Sequence, residues 1–364
     1  MESPRALGCR MLCYRRTVWC EFTGRVCAEH MRLLILGGTA WLGRYIAATA
    51  LERGHQVTCL ARGESGSAPP GVAFKRADRD GPDACREVAR DEWDVVIDVS
   101  RQPGQVQRAT TALAGRSGSF VFVSSTNVYA DNATPGTGEN AALLPALAGD
   151  VMESMEMYGQ AKVACEQHVL DAFGPGRSLI ARAGLIGGPG DTFDRTGYWP
   201  LRFSRPAAED GSVLVPGVPG LATQVIDVRD LASWLVDTGE RGLSGVFNTL
   251  GETIPLSAHL AVAREVAGHT GPVVAAGQDW LVAHDVEPWM GKRSLPLWLP
   301  LPEYAGFSSR DGSAAIAAGL TTRPLAETLA DTLAWELARN LERPRHAGLS
   351  DQDERQLLHA LAAS

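Results

Sequence analysis

Tyr158 and Lys162, in YGQAK, are four residues apart and so share one face of a helix. An ammonium one turn from a phenol favours the phenolate, and such a pair can take up or deliver a proton near neutral pH. Upstream, FVFVSSTNVY carries three aliphatic hydroxyls, Ser124, Ser125 and Thr126. Read as a strand, it delivers them to the carboxyl edge of a sheet, where ligands collect in doubly wound folds. A second constellation lies in LLILGGTAWLGR, Leu33 to Arg44. An apolar run stops at Gly37 and Gly38, and a helical pattern starts almost at once. Such a junction offers an anion free N–H groups and the positive end of a helix dipole, and its glycines let the backbone approach a pyrophosphate. The frame Gly37, Ala40, Gly43 is a short-loop version of a dinucleotide fingerprint. With Gly38, Thr39, Trp41 and Leu42 it makes the candidate cofactor-binding turn.

The next strand bears on which dinucleotide binds. NAD sites commonly end that strand in Asp or Glu, which bonds the ribose 2′-hydroxyl. Here HQVTCLARGES places Leu60, Ala61 and Arg62 at its end, with no carboxylate before Glu64. Arg62 suits a 2′-phosphate, so NADP is expected ahead of NAD; the plainer reading is a solvated loop charge. Asp78, after a short third strand, is a candidate adenine-edge contact or a turn residue.

These groups need a scaffold. From Met31 onward, short apolar runs alternate with helical stretches: RLLILGG, HQVTCLAR, GVAFKRADRD, DVVIDVS, SFVFVSSTNVY and RSLIARAG as strands. Among the helices are AWLGRYIAATALERG, DACREVARDEW, QVQRATTALAGR and MESMEMYGQAKVACEQHVLDAF. That alternation predicts an α/β fold, a Rossmann-like doubly wound parallel sheet with a smaller C-terminal substrate lobe. The expected divisions are an N-terminal extension over 1–30, the dinucleotide-binding domain over 31–190, a substrate lobe over 191–343 interleaved with the last core elements, and a polar tail over 344–364. Residues 130–150 read as a long irregular segment. In TQVIDVRDLASWLVDTGE, Asp227 and Asp230 read as helix caps.

Charge and composition narrow the function. The 364 residues carry a net charge of −8. Residues 1–30 hold five Arg and three Glu, which leaves −10 from Met31 on. No basic block recommends a nucleic-acid surface, and no apolar run approaches the roughly 20 residues that span a bilayer. Cys9, Cys13, Cys20 and Cys27 all precede Met31, without the spacing of a zinc site or a disulfide framework. His55, His168 and His259 show no ligand spacing either, so no metal is expected. Met31 reads as the start of the folded chain and a cytoplasmic location is expected. The expected partners are a small-molecule substrate and a second copy of the chain in a homodimer, with no nucleic acid and no membrane.

Taken together, the glycine turn, FVFVSSTNVY, YGQAK, ARAGLIGGPG and TQVIDVRDLA resemble an extended short-chain dehydrogenase/reductase of the NAD-dependent epimerase/dehydratase-like family, over roughly residues 31–250. The resemblance implies that Ser125, four residues before Tyr129, holds a substrate oxygen. It implies that Tyr158 is the acid/base and that Lys162 bonds the nicotinamide ribose. It also puts GGPGDTFDRTGYWPLRF on the substrate side, with Arg195, Tyr198 and Trp199 as candidate pocket residues. The expected activity is NAD(P)-dependent oxidoreduction of a small carbonyl or alcohol. The alternatives are epimerisation or dehydration of a sugar nucleotide, and a non-catalytic scaffold that senses cofactor or binds RNA, as in chloroplast stem-loop RNA-binding relatives. The negative charge argues against RNA.

Overall fold

The computed structural model describes residues 12–14, 17–19, 26–28 and 30–363. The proposed extension over 1–30 lies largely outside the described residues; within it, Leu12–Tyr14, Thr17–Trp19 and Val26–Ala28 form three short antiparallel strands.

Seven parallel strands make the central sheet: β1 (Arg32–Leu36), β2 (Gln56–Ala61), β3 (Ala73–Arg76), β4 (Trp93–Asp98), β5 (Ser117–Ser125), β6 (Ser178–Ala183) and β7 (Gly245–Thr249). Their spatial order is 3-2-1-4-5-6-7. The order reverses between β1 and β4, and such a switch point opens a crevice at the carboxyl ends of the strands. The buried runs of β1, β4 and β5 are Val, Ile, Leu and Phe on both faces, as a sheet covered by helices on both sides requires. One face packs on α1 (Trp41–Glu52) and α5 (Val228–Arg241), the other on α2 (Pro103–Leu113) and α3 (Tyr158–Phe173). The stretch DACREVARDEW, expected as a helix, forms turns and a short 3₁₀ segment, Val88–Arg90, instead. Helix α3 starts at Tyr158 rather than at Met152, because Met155–Met157 closes a 3₁₀ turn first.

A second core belongs to the C-terminal lobe. It joins α4 (Tyr198–Ser204), the paired strands Val213–Pro216 and Val273–Ala276, α6 (Leu256–Val266), α7 (Leu325–Leu337) and α8 (Asp351–Ala362). The polar tail expected over 344–364 is therefore corrected. Ser350 caps α8 by accepting from the Asp353 amide, and Leu349 and Leu357 are buried. Glu354 is fully buried; it accepts from the Leu214 amide at 2.8 Å and meets Arg202 at 2.9 Å. An acidic, Gln-rich sequence hid this helix, because its inward face is short and one of its anchors is a carboxylate.

Candidate active site

At the switch point β1 runs into the glycine turn. Gly37 has φ +89°, which a side chain resists, and a Cβ there would come within 2.7 Å of Val99. A Cβ on Gly43 would lie 2.3 Å from the Gly37 carbonyl, and one on Gly38 would lie 2.2 Å from Cys59 Sγ. Ala40 precedes α1 and offers no side-chain cap, so the first N–H groups of the helix remain for a ligand. A backbone cradle that any side chain would fill, at an uncapped helix N-terminus, fits a dinucleotide diphosphate.

The other residues of the turn have separate tasks. Thr39 is buried. Leu42 points into the core with Ile46, so only its backbone faces the turn. Trp41 donates its indole N–H to the Pro189 carbonyl at 2.8 Å, and the Tyr45 hydroxyl donates to the same oxygen at 3.1 Å. Trp41 thus fastens the GGPG loop after β6 to the cofactor side of the crevice.

Beyond β2, Arg62 is exposed and lies 3.5 Å from Glu64. Arg76 donates to the Arg62 carbonyl at 2.9 Å, and Arg44 borders the loop at Gly66. Asp78 is exposed and accepts from the Asp80 amide at 3.1 Å, so its carboxylate serves its own turn.

The start of α3 packs against the end of β5. Pleating separates the two serines. Ser124 faces α3 and donates to Glu166, itself paired with Arg182 at 2.8 Å. Ser125 accepts from the Asn127 amide at 3.2 Å and stays at the strand end. Gly159 packs so tightly on this turn that a Cβ would come within 2.3 Å of the Asn127 carbonyl. That contact seats Tyr158 beside the Ser125 turn, half-exposed, and its hydroxyl has no hydrogen-bond partner among the described residues. Lys162 is buried one turn on, 4.4 Å from the Phe122 ring centroid. Its ammonium donates to the carbonyls of Ser100 and Val123, each at 2.6 Å.

The long segment between Ser125 and Tyr158 is held by the C-terminal lobe. Arg310 donates to the Asp131 carbonyl, the Asn132 side chain and the Thr137 hydroxyl, and lies 4.3 Å from the Tyr129 ring centroid.

One pair escaped sequence reasoning. Arg79, in the DRD after β3, is buried and makes two 2.8 Å bonds to Asp98, the last residue of β4. Asp98 in turn accepts from the Ser100 amide at 2.9 Å and from the Ser100 hydroxyl. Burial alone would raise the Asp98 pKa; the Arg79 charge and the bonds from Arg79 and Ser100 outweigh it and hold the carboxyl below its ordinary value. The chain Arg79–Asp98–Ser100 ends on the carbonyl that receives Lys162. An apolar strand ending in Asp was the one signal available, and nothing local named its partner.

On the substrate side the expectation for Tyr198 and Trp199 is corrected. Both lie on α4 in the core of the C-terminal lobe; Trp199 is fully buried and donates its indole N–H to the Pro296 carbonyl at 2.8 Å. Arg195 is different. Its guanidinium lies 5.0 Å from the Phe193 ring centroid and 5.7 Å from that of Trp289. Asp227 caps α5 through the Arg229 amide and Asp230 pairs with Arg323, so both aspartates are structural. Among the described residues there is no cluster of metal-ligating side chains, and no helix is long and apolar enough to cross a membrane.

A doubly wound sheet with a glycine cradle at its switch point and a Tyr–Lys helix beside a serine strand end defines an oxidoreductase-type, dinucleotide-dependent enzyme. The chain belongs to the NAD dependent epimerase/dehydratase family, whose model matches residues 33–248. The fold is similar to UDP-N-acetylglucosamine 4-epimerase from Bacillus cereus, with a TM-score of 0.62 at 16% identity over 87% of this chain and 100% of that one. It is equally similar to the Bordetella bronchiseptica enzyme WbmH, solved with NAD+ (TM-score 0.62, 16% identity, 85% and 99% covered). The UDP-Glc/GlcNAc 4-epimerase of Campylobacter jejuni gives a TM-score of 0.62 at 16% identity, with 85% and 100% covered. No curated protein sequence is significantly similar to this chain.

Proposed function

We propose that this enzyme epimerises or dehydrates a sugar nucleotide, with its dinucleotide oxidised and reduced again in each cycle. The observation that supports the reading is the packing of the start of α3 on the end of β5, with Gly159 against the Asn127 carbonyl and Lys162 bonded to the Ser100 and Val123 carbonyls. Family membership and the likeness to sugar-nucleotide epimerases support it over net oxidoreduction of a small carbonyl or alcohol. A bound nicotinamide ring supplies the site for hydride transfer. The chain's own groups do the rest. Ser125 holds the reacting substrate oxygen, the Tyr158 hydroxyl exchanges a proton with it, and Lys162 bonds the nicotinamide ribose. Gly37, Gly38, Gly43 and the first amides of α1 hold the diphosphate.

The test is a panel of sugar nucleotides incubated without added reductant. Conversion with no net change in reduced dinucleotide is the expected result. Steady consumption of NADPH with aldehydes, ketones or quinones, and none of that conversion, would establish the oxidoreductase reading instead.

We further infer that the dinucleotide is NADP. The end of β2 carries no carboxylate before Glu64, and the guanidinium of Arg62 is exposed there with Arg44 and Arg76 bordering its loop. The exposed pair of Arg62 with Glu64 is weak and yields readily to a phosphate dianion. Fluorescence titration should give tighter binding of NADPH than of NADH. Arg62→Asp should reverse the order, because a carboxylate repels the phosphate and accepts from a 2′-hydroxyl. Tighter NADH binding by the unmodified protein would refute this assignment.

A further inference from the structure

The Lys162 ammonium is buried, and its partners are two backbone carbonyls, of Ser100 and Val123, each at 2.6 Å, and the face of the Phe122 ring. An ammonium has three N–H donors, so two bonds to fixed acceptors set the direction of the third. Val123 lies within β5 and is paired with Ala181 of β6, so the sheet holds its carbonyl. Ser100 lies past the end of β4 and has no strand to hold it. Its support is the buried pair beneath it. Asp98 accepts from the Ser100 amide at 2.9 Å and from the Ser100 hydroxyl, and Arg79 donates to both Asp98 oxygens at 2.8 Å and to the same hydroxyl. We propose that Arg79 and Asp98 are positioning residues for Lys162: through Ser100 they aim its remaining N–H at the nicotinamide ribose.

Stability by itself is a weak reason for such a pair, because apolar side chains of similar volume generally serve a buried site as well or better. What a carboxylate adds is acceptors, and Asp98 gives them to residue 100. The surrounding loop is seated by other contacts. The Val99 amide donates to the Leu36 carbonyl at 3.2 Å, and a Cβ on Gly37 would come within 2.7 Å of the Val99 side chain. Gln102 accepts from the Met152 amide at 2.7 Å, in the segment that leads to α3. Arg79 reaches α2 as well, where it donates to the Gln105 carbonyl at 2.9 Å. The loop after β4 therefore touches the glycine cradle through Val99 and the Tyr–Lys helix through Ser100, and the bonds to Asp98 fix the residue between them.

The inference rests on the assignment of Lys162 to the nicotinamide ribose. It is tested by fluorescence titration of the full-length protein with NADPH; NADH serves equally should it bind more tightly, since both carry that ribose. Four proteins are compared: the unmodified chain, Arg79→Leu with Asp98→Leu, Lys162→Met, and all three substitutions together. The Leu pair leaves no buried charge unpaired, so the fold is kept while the acceptors for Ser100 are gone. It should weaken cofactor binding by about 2- to 10-fold, the range of one misplaced hydrogen bond. Lys162→Met should weaken it by about 10-fold or more, as befits a charged donor. Adding the Leu pair to Lys162→Met should change nothing further, because residues that act through one group are not additive. A merely structural pair would weaken binding by the same factor in both backgrounds. Ser100→Ala keeps the amide bond to Asp98 and loses the hydroxyl; it should give a smaller effect with the same dependence on Lys162, and it decides the matter if the Leu pair does not fold.

Unchanged affinity in the Leu pair, or equal weakening with and without Lys162, overturns the proposal while the ribose assignment stands. Cofactor binding by Lys162→Met at the unmodified strength overturns both. No step of the test needs turnover, so its outcome is separate from that of the sugar-nucleotide panel.

Discussion

Tyr158→Phe lowers turnover of the converted substrate by about 10²–10⁴-fold, the usual worth of general acid–base catalysis, and leaves NADPH affinity close to that of the unmodified protein. The substitution removes one oxygen from a half-exposed ring. The Tyr158 hydroxyl makes no hydrogen bond within the described residues, so no structural partner is lost. The backbone at this point is set by Gly159 against the Asn127 carbonyl, a contact the change does not touch. Lys162 keeps its bonds to Ser100 and Val123. A fall in rate without a fall in cofactor binding or thermal stability is therefore the signature of a proton-transfer group. Turnover of Tyr158→Phe at the unmodified rate, measured on any active substrate, would rule Tyr158 out as the acid/base.

The second large effect concerns stability. Arg79→Leu leaves the Asp98 carboxylate buried without its cation, and breaking a buried pair in this way costs about 3–5 kcal/mol. Chemical denaturation should report a loss of that order. Ser100 then loses the ordered carboxylate that holds its amide and hydroxyl, and the carbonyl that receives Lys162 is no longer fixed. The pH dependence has a definite sign. In the unmodified protein the Asp98 pKa is depressed, so its contribution is present above the unfolded carboxyl pKa and is lost as pH falls through the folded one. In Arg79→Leu, burial acts alone and raises the folded pKa above the unfolded value. The variant's deficit should therefore be smallest in acid and grow as pH rises through the ordinary carboxyl range. Arg79→Leu with Asp98→Leu should recover most of the loss, since an apolar pair of similar volume replaces a buried ion pair at little cost. A deficit independent of pH, with no recovery in the double variant, would show that Arg79 matters only for packing.

Much of this was legible before any coordinates. The alternation of apolar runs with helical periods implied the parallel sheet, since a strand buried on both faces has no polar positions to spare. The glycine turn was readable because Gly37 and Gly43 answer a purely local demand, φ > 0 and a backbone approach that no Cβ survives. Tyr158 and Lys162 were readable because helical spacing puts them on one face. Ser125 is a candidate by resemblance alone, and its separation from Ser124 follows from strand pleating once the register is known.

What the tertiary structure alone decided has a common cause: the partner lies far away in sequence, and no local period encodes it. Arg79 looked like a charge in a polar turn until β3 and β4 brought it to Asp98, 19 residues on. Tyr198 and Trp199 had the chemistry of pocket walls, but α4 turns them into the C-terminal core, where Pro296 takes the indole N–H. The final helix read as a tail because a buried carboxylate, Glu354, anchors it to Arg202 and the Leu214 amide. Periodicity and glycine sterics act between neighbours in the chain and can be read along it; the pairing of buried charges is settled by which elements the fold sets side by side.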